Sequence, residues 1–161
     1  MKVVINSSPL ITLSLIGHME LLLKLYDEVI VPRSVYNEVV VKGKGKAGSK
    51  ELACVDHFTV FEIENKALKD TVMLELDEGE AEVITVAKEK GIHNVIIDEF
   101  AGRQYASLLG LNVIGTLGML LIGKKLGFID ELKPLMDIML KHNRYISRVL
   151  YLEILKKANE I

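Results

Sequence analysis

The chain has 161 residues, half of them hydrophobic, which is enough for one domain with a sizeable core and no disulfide staples. A single cysteine, Cys54, excludes an internal disulfide framework and fits a reducing compartment, so a cytoplasmic location is expected. The net charge of −2 is unevenly spread: residues 1–50 carry 7 Lys/Arg against 4 Asp/Glu, residues 51–100 carry 4 against 13, and residues 101–161 carry 9 against 5.

An acidic middle between basic ends reads as a solvated acidic face, or as a cation site flanked by surfaces for a polyanion. Residues 3–5 form a short apolar strand. Lys2 and this run imitate a secretory signal only briefly, because Asn6, Ser7, Ser8 and Pro9 interrupt it and no small-residue cleavage site follows. Pro9 marks a helix start, with Ser7 or Ser8 expected to cap it, and Gly17 ends that helix. Residues 19–26 read as a second helix and 28–32 as a strand leading into a helix near Pro32. The Lys/Gly-rich stretch 41–50 reads as an exposed, mobile loop. Then come a helix over 51–57, a strand over 58–63, a helix over 64–76, a break at Gly79 and a strong helix over 80–90. A strand over 94–98 precedes a helix over 99–109, and a strand over 111–114 precedes a helix over 116–126 capped by Thr116. Helices over 129–141 and 147–158 close the chain. The longest later apolar stretch, 113–123, is shorter than the roughly 18 residues a bilayer crossing takes, so no membrane partner is expected.

Strands alternate with helices, and the strands are continuous apolar runs. That pattern predicts an α/β fold: a three-layer α/β/α sandwich with a mostly parallel sheet, as one domain over 1–161. The C-terminal helices, about 129–158, are expected to pack on it or to form a dimer contact. In such folds ligands bind beyond the carboxyl ends of the strands. Asn6 and Asp98 both sit where an apolar strand stops.

Asp98 places a carboxylate at the end of a buried strand, costly unless paired or cation-bound; a helix N-cap is the plain alternative. Glu80 shares a helix face with Val83, Ile84 and Ala87, whereas Glu82 is expected to face water. An acid in a first helical turn is also common without any function. Glu38 flanks the stripe Val31, Val35 and Val39, where a long acid can simply reach solvent. Asn6 offers an uncharged oxygen, with Ser7 and Ser8 as polar support. Oxygen ligands of this kind suit Mg²⁺ or Mn²⁺. The four histidines are scattered, and neither a phosphate-binding loop nor a dinucleotide fingerprint is present.

The segments "VVINSSPLI", "VIVPRSVYNEVV", "LDEGEAEVITVA" and "VIIDEFAGRQYASLLGLNVIGTLGMLL" together resemble the PIN-domain family, and more narrowly a VapC-like branch of uncharacterised prokaryotic PIN proteins. The likeness runs from residue 1 to about 155. It implies an acidic pocket holding Mg²⁺ or Mn²⁺ and a metal-dependent endoribonuclease activity. Asn6 falls where that family usually has its first aspartate; Glu38, Glu80 and Asp98 match the second, third and fourth acids, and Glu99 supplements the last. Catalysis would rest on Glu38, Glu80 and Asp98, the ion on these with Asn6 and Glu99, and Thr116 would add a polar contact. The resemblance also implies a homodimer and a small antitoxin protein as partner, this chain being the toxin.

Lys42, Lys44, Lys46 and Arg103 are the candidate nucleic-acid contacts, with Lys141, Arg144, Arg148, Lys156 and Lys157 as further basic positions. Arg103 can equally pair with Glu99, four residues back. No aromatic residue interleaves with the basic ones, so base stacking is not expected there. Asn6 removes one charge from the family's acid set. Two outcomes follow from the sequence: a divalent-metal ribonuclease acting on RNA, or a catalytically weak or inactive PIN-like RNA- or protein-binding module.

Overall fold

The computed structural model describes residues 1–54 and 56–161. Five strands, β1 (Lys2–Ile5), β2 (Glu28–Pro32), β3 (Phe58–Phe61), β4 (Asn94–Ile96) and β5 (Asn112–Ile114), make one all-parallel sheet in the order β3-β2-β1-β4-β5. Val3, Val4 and Ile5, Val29, Ile30 and Val31, and Val95 and Ile96 are buried. Apolar side chains on both strand faces require cover on both sides, and the helices supply it.

The chain lays β2 and β3 on one side of β1, then crosses to lay β4 and β5 on the other. The reversal falls between β1 and β4, and in parallel sheets a crevice opens beyond the strand ends at such a point. The register Ile5↔Ile96 sets what enters it: the next residues are Asn6 on one strand and Ile97–Asp98 on the other. The Asn6 N–H donates to the Ile96 carbonyl (3.1 Å) and closes the ladder.

Helix α1 (Ser7–Leu15) starts at an Asn6 N-cap, yet the Asn6 side chain makes no cap bond. Pro9 is the third residue of the helix and has no N–H to offer, so the usual partner of a cap oxygen is missing. The expected Ser7 or Ser8 cap is therefore wrong: both lie inside the helix. Helix α2 (Glu20–Leu25) follows, then α3 (Arg33–Tyr36), which continues as the π-helical turn Asn37–Lys42. Val35 and Val39 are buried and Glu38 beside them is exposed.

After the lysine loop comes α4 (Ser49–Cys54); the expected helix over 51–57 also included Val55, which lies outside the described residues. The loop is less free than its composition suggests. The Gly48 N–H donates to Ser14 Oγ (2.8 Å), and that hydroxyl donates to Glu51 Oε1 (2.7 Å), fastening the loop's end to α1. Lys42, Lys44 and Lys46 stay exposed.

Helix α5 (Lys66–Val72) packs on α6 (Glu78–Lys90), which itself packs on α3, β1, β2 and β4. Gly79 is not a break: Asp77 is the N-cap, and its Oδ1 accepts from the Glu80 N–H (2.8 Å) while Glu80 Oε2 accepts from the Asp77 N–H (3.2 Å). Glu82 corrects a second expectation. It is buried rather than in water, bonded to Lys69 Nζ (2.8 Å) and the Ser34 N–H (3.1 Å). Period alone cannot foresee this, because α5 and α3 cover the face that an isolated helix would leave wet.

Helices α7 (Phe100–Leu108), α8 (Thr116–Lys125), α9 (Lys133–Lys141) and α10 (Arg148–Lys157) complete the chain. Gly115, not Thr116, is the N-cap of α8. Helix α9 packs on α1 and α10 on α8, and Met136, Met139, Ile154 and Leu155 join the core. Glu160 ties these pieces together: it accepts from Lys124 Nζ on α8 (2.6 Å) and from the N–H groups of Leu132 (2.6 Å) and Lys133 (2.8 Å) at the start of α9. No helix among the described residues is long and apolar enough to cross a membrane.

Candidate functional site

Four oxygen-bearing side chains gather at the carboxyl ends of β1 and β4. Asn6 is 4% exposed, and its Oδ1 is buried without a hydrogen-bond partner. Glu80, from the first turn of α6, is 5% exposed. Asp98 accepts two bonds from Thr116: Oδ1 from the N–H and Oδ2 from the hydroxyl, both at 2.7 Å. Thr116 is thus an orienting group for Asp98 and not a helix cap. Glu99 stands at the N-cap of α7 and makes no side-chain cap bond.

Three glycines make room for this cluster. A Cβ on Gly79 would sit 3.0 Å from Asn6 Oδ1, one on Gly102 2.8 Å from Glu80 Oε1, and one on Gly115 3.0 Å from Asp98 Oδ1. Gly79 and Gly102 lie within helices, where glycine costs about 0.5–1 kcal/mol relative to alanine. That cost is retained at two points where a site oxygen needs the space.

The electrostatics set these acids apart. Elsewhere buried acids have cations: Glu82 has Lys69 and Glu160 has Lys124. Among the described residues the buried Glu80 and the half-buried Asp98 form no ion pair, and neither does Glu99, which is exposed. Burial pushes the Glu80 carboxyl above its usual range; the Asp77 N–H opposes this, and the negative charges of Asp77 and Glu99 add to the rise. Arg103 does not pair with Glu99. Its Nη1 donates to the Ile97 carbonyl (3.0 Å), which fixes the guanidinium beside the strand end.

Asp98 and Glu99 border a recess of about 460 Å³ whose lining also includes Ser8, Thr116, Arg144 and Tyr145; Asn6 and Glu80 lie behind it and do not line it. Arg144 Nη1 reaches Ser8 Oγ at 3.4 Å. The same arginine lines a second recess of about 490 Å³ with Glu38, Lys42 and Lys46. Glu38 thus lines a different recess from Asp98, with Arg144 bordering both, and it faces solvent. Lys42 and Lys46 share the Glu38 recess, and Ser7 turns inward and is buried.

A family model described as a PIN domain matches residues 2–160. The chain belongs to the PIN-domain family. No curated protein and no solved structure matches it. Membership of this family suggests a fold of nuclease type, and PIN domains generally use divalent metal ions.

The residues can be tested for such an ion. Every candidate ligand is an oxygen, Asn6 Oδ1 lacks a partner, and the acids lack cations; all three suit a hard cation. Among the described residues, no three His, Cys, Asp or Glu side chains are close enough together to hold an ion by themselves. Mg²⁺ is commonly held by one or two carboxylates and keeps several waters. The PIN domain here fits a partly hydrated ion and does not offer an all-protein cage.

The three glycines and Tyr145 escaped sequence reasoning, whereas Arg144 was among the basic positions expected to meet nucleic acid. A glycine within a helix was a usable signal at Gly79 and Gly102. Tyr145 gave none, since it reaches the recess from the far end of the chain.

Proposed function

We propose that this PIN domain is a divalent-metal-dependent endoribonuclease in which Asn6 and the two carboxylates Glu80 and Asp98 hold one Mg²⁺ or Mn²⁺, with water completing the shell and Glu99 adding charge at the rim. The observation that carries this reading is the unpartnered Asn6 Oδ1, buried beside acids that have no cation, at the switch point of a parallel sheet. When bound, the ion would supply a nucleophilic water and offset charge on the phosphate. The chain's own residues do the rest. Thr116 fixes both oxygens of Asp98 toward the recess. The glycines let the site oxygens approach closely. Ser8 offers a hydroxyl at the rim, and Arg103 and Arg144 bring positive charge to where a phosphate would lie. Lys42, Lys44 and Lys46 extend this charge past Glu38 and would track the RNA backbone without reading sequence. Glu38, in the neighbouring recess, shapes the charge of the rim and contributes less to the ion than Glu80 or Asp98. A toxin role, with a small antitoxin and a homodimer of the VapC-like kind, is part of the same reading and rests on the resemblance.

Asn6 favours a second reading: one charge fewer leaves a weak or inactive domain that binds RNA or protein. Cleavage of mixed RNAs with Mn²⁺ against EDTA, using wild type, Glu38→Ala, Glu80→Ala and Asp98→Asn, separates them. The nuclease reading expects Mn²⁺-dependent cleavage abolished in the latter two and reduced in the first. RNA binding without cleavage in any metal favours the second reading. Activity surviving both Glu80→Ala and Asp98→Asn overturns the catalytic assignment.

A further inference from the structure

Tyr145 stands 89% exposed at the rim of the Asp98 recess. An aromatic ring so bare is unremarkable on a loose terminus, but this one is mounted firmly. Helix α9 ends in a Schellman turn: the Arg144 N–H donates to the Met139 carbonyl (2.9 Å) and the Asn143 N–H to the Leu140 carbonyl (3.2 Å). Asn143 takes the required left-handed conformation at φ 60°. On the other side Ile146 is buried in the core. Arg144, between them, points back to Ser8. The alternation is plain: Arg144 and Ile146 face the protein, and Tyr145 between them faces out over the recess.

We propose that Arg144 and Tyr145 form a nucleotide subsite for single-stranded RNA, Tyr145 stacking on one base and Arg144 contacting the adjoining phosphate; this rests on the ribonuclease reading above. The ring supplies a flat apolar face, which every base can use, and the guanidinium supplies charge on the side facing the acids. A stacked base pinned here would lay its neighbouring phosphate across the recess that Asp98 and Glu99 line. This reverses the expectation that no aromatic group accompanies the basic residues. The two are sequence neighbours, and what could not be read was that α9 carries them to the strand ends.

The test is fluorescence anisotropy with a labelled single-stranded RNA and a matched oligonucleotide carrying abasic sites, both in EDTA so that nothing is cleaved. Tyr145→Ala is expected to weaken binding of the base-bearing RNA by about 5–150-fold, the range for losing one stacked ring, while leaving the abasic strand nearly unaffected. Tyr145→Phe keeps the ring and is expected to keep the affinity. Arg144→Gln, which removes the charge, is expected to weaken both strands and to flatten the salt dependence. Unchanged RNA affinity in Tyr145→Ala, or equal losses on both strands, overturns the subsite, and so would a wild type that binds neither. Tyr145-dependent binding without Mn²⁺-dependent cleavage leaves the subsite standing and removes the nuclease. Normal cleavage with Tyr145 irrelevant does the reverse.

Discussion

Gly102→Ala is the most direct probe of how the site is packed. On an exposed helix the change would stabilise by about 1 kcal/mol, alanine's advantage over glycine. Here the new methyl would lie 2.8 Å from Glu80 Oε1, 3.2 Å from its Cδ and 3.0 Å from Ile97 Cγ2. Comfortable contacts between carbon atoms are about 3.5–4.0 Å, so something must yield by roughly half an ångström. Ile97 is fully buried and has nowhere to go. Glu80 can retreat only by leaving its bond to the Asp77 N–H. Overpacking costs about 1–3 kcal/mol and a lost cap about 0.5–2 kcal/mol. Set against the helix gain, a net loss of about 0.5–4 kcal/mol is expected, each kcal/mol lowering Tm by about 2–4 °C in a chain of this size. Thermal and urea unfolding of wild type, Gly102→Ala, Glu80→Ala and the double variant measure it. Removing the carboxylate frees the space, so the double variant should lose less than the two single losses together, by about 0.5 kcal/mol or more. A Gly102→Ala protein as stable as wild type, or strict additivity, would refute the close approach.

Other consequences are testable with the same unfolding measurements. Lys69→Met strands Glu82, a buried carboxylate, and is expected to cost about 3–5 kcal/mol, most of it restored by adding Glu82→Gln. Burial pushes the Glu160 carboxyl up, but the Leu132 N–H, the Lys124 ammonium and the Lys133 N–H outweigh it and hold it below its ordinary value. A depressed carboxyl stabilises the fold above its unfolded pKa, and that stability is lost as pH falls through the folded one. Glu160→Gln should therefore cost about 1–3 kcal/mol at neutral pH, and the gap to wild type should close as pH falls below the ordinary carboxylate range. Thr116→Val removes one of the two bonds to Asp98, whereas Thr116→Ser keeps it; only the valine variant should impair Mn²⁺-dependent cleavage.

The sheet was readable because its strands are continuous Val/Ile runs separated by helix-forming segments, and a parallel sheet covered by helices buries both faces of such strands. Asn6 and Asp98 were readable as strand-end residues, and Glu80 as an inward-facing acid. The errors share one cause. Glu82 looked exposed because a helical wheel knows only its own helix, while α5 and α3 close over that face. Ser7, Ser8 and Thr116 looked like caps because their type favours the role, but Asn6 and Gly115 hold the cap positions. The lysine loop looked free because its glycines suggested it, and the bond from Gly48 to Ser14 is a tertiary contact. Tyr145 was invisible as a site residue for the same reason: its meaning depends on where α9 ends.

The account's central claim is that oxygens at the ends of β1 and β4 hold a divalent ion. Calorimetric titration of the purified protein with Mn²⁺, alongside Glu80→Gln and Asp98→Asn, addresses it without any appeal to substrate. One saturable site is predicted for wild type, weakened in either variant by roughly tenfold or more, about 1.4 kcal/mol. Wild-type protein that takes up no Mn²⁺, or variants that take it up equally well, would contradict the claim.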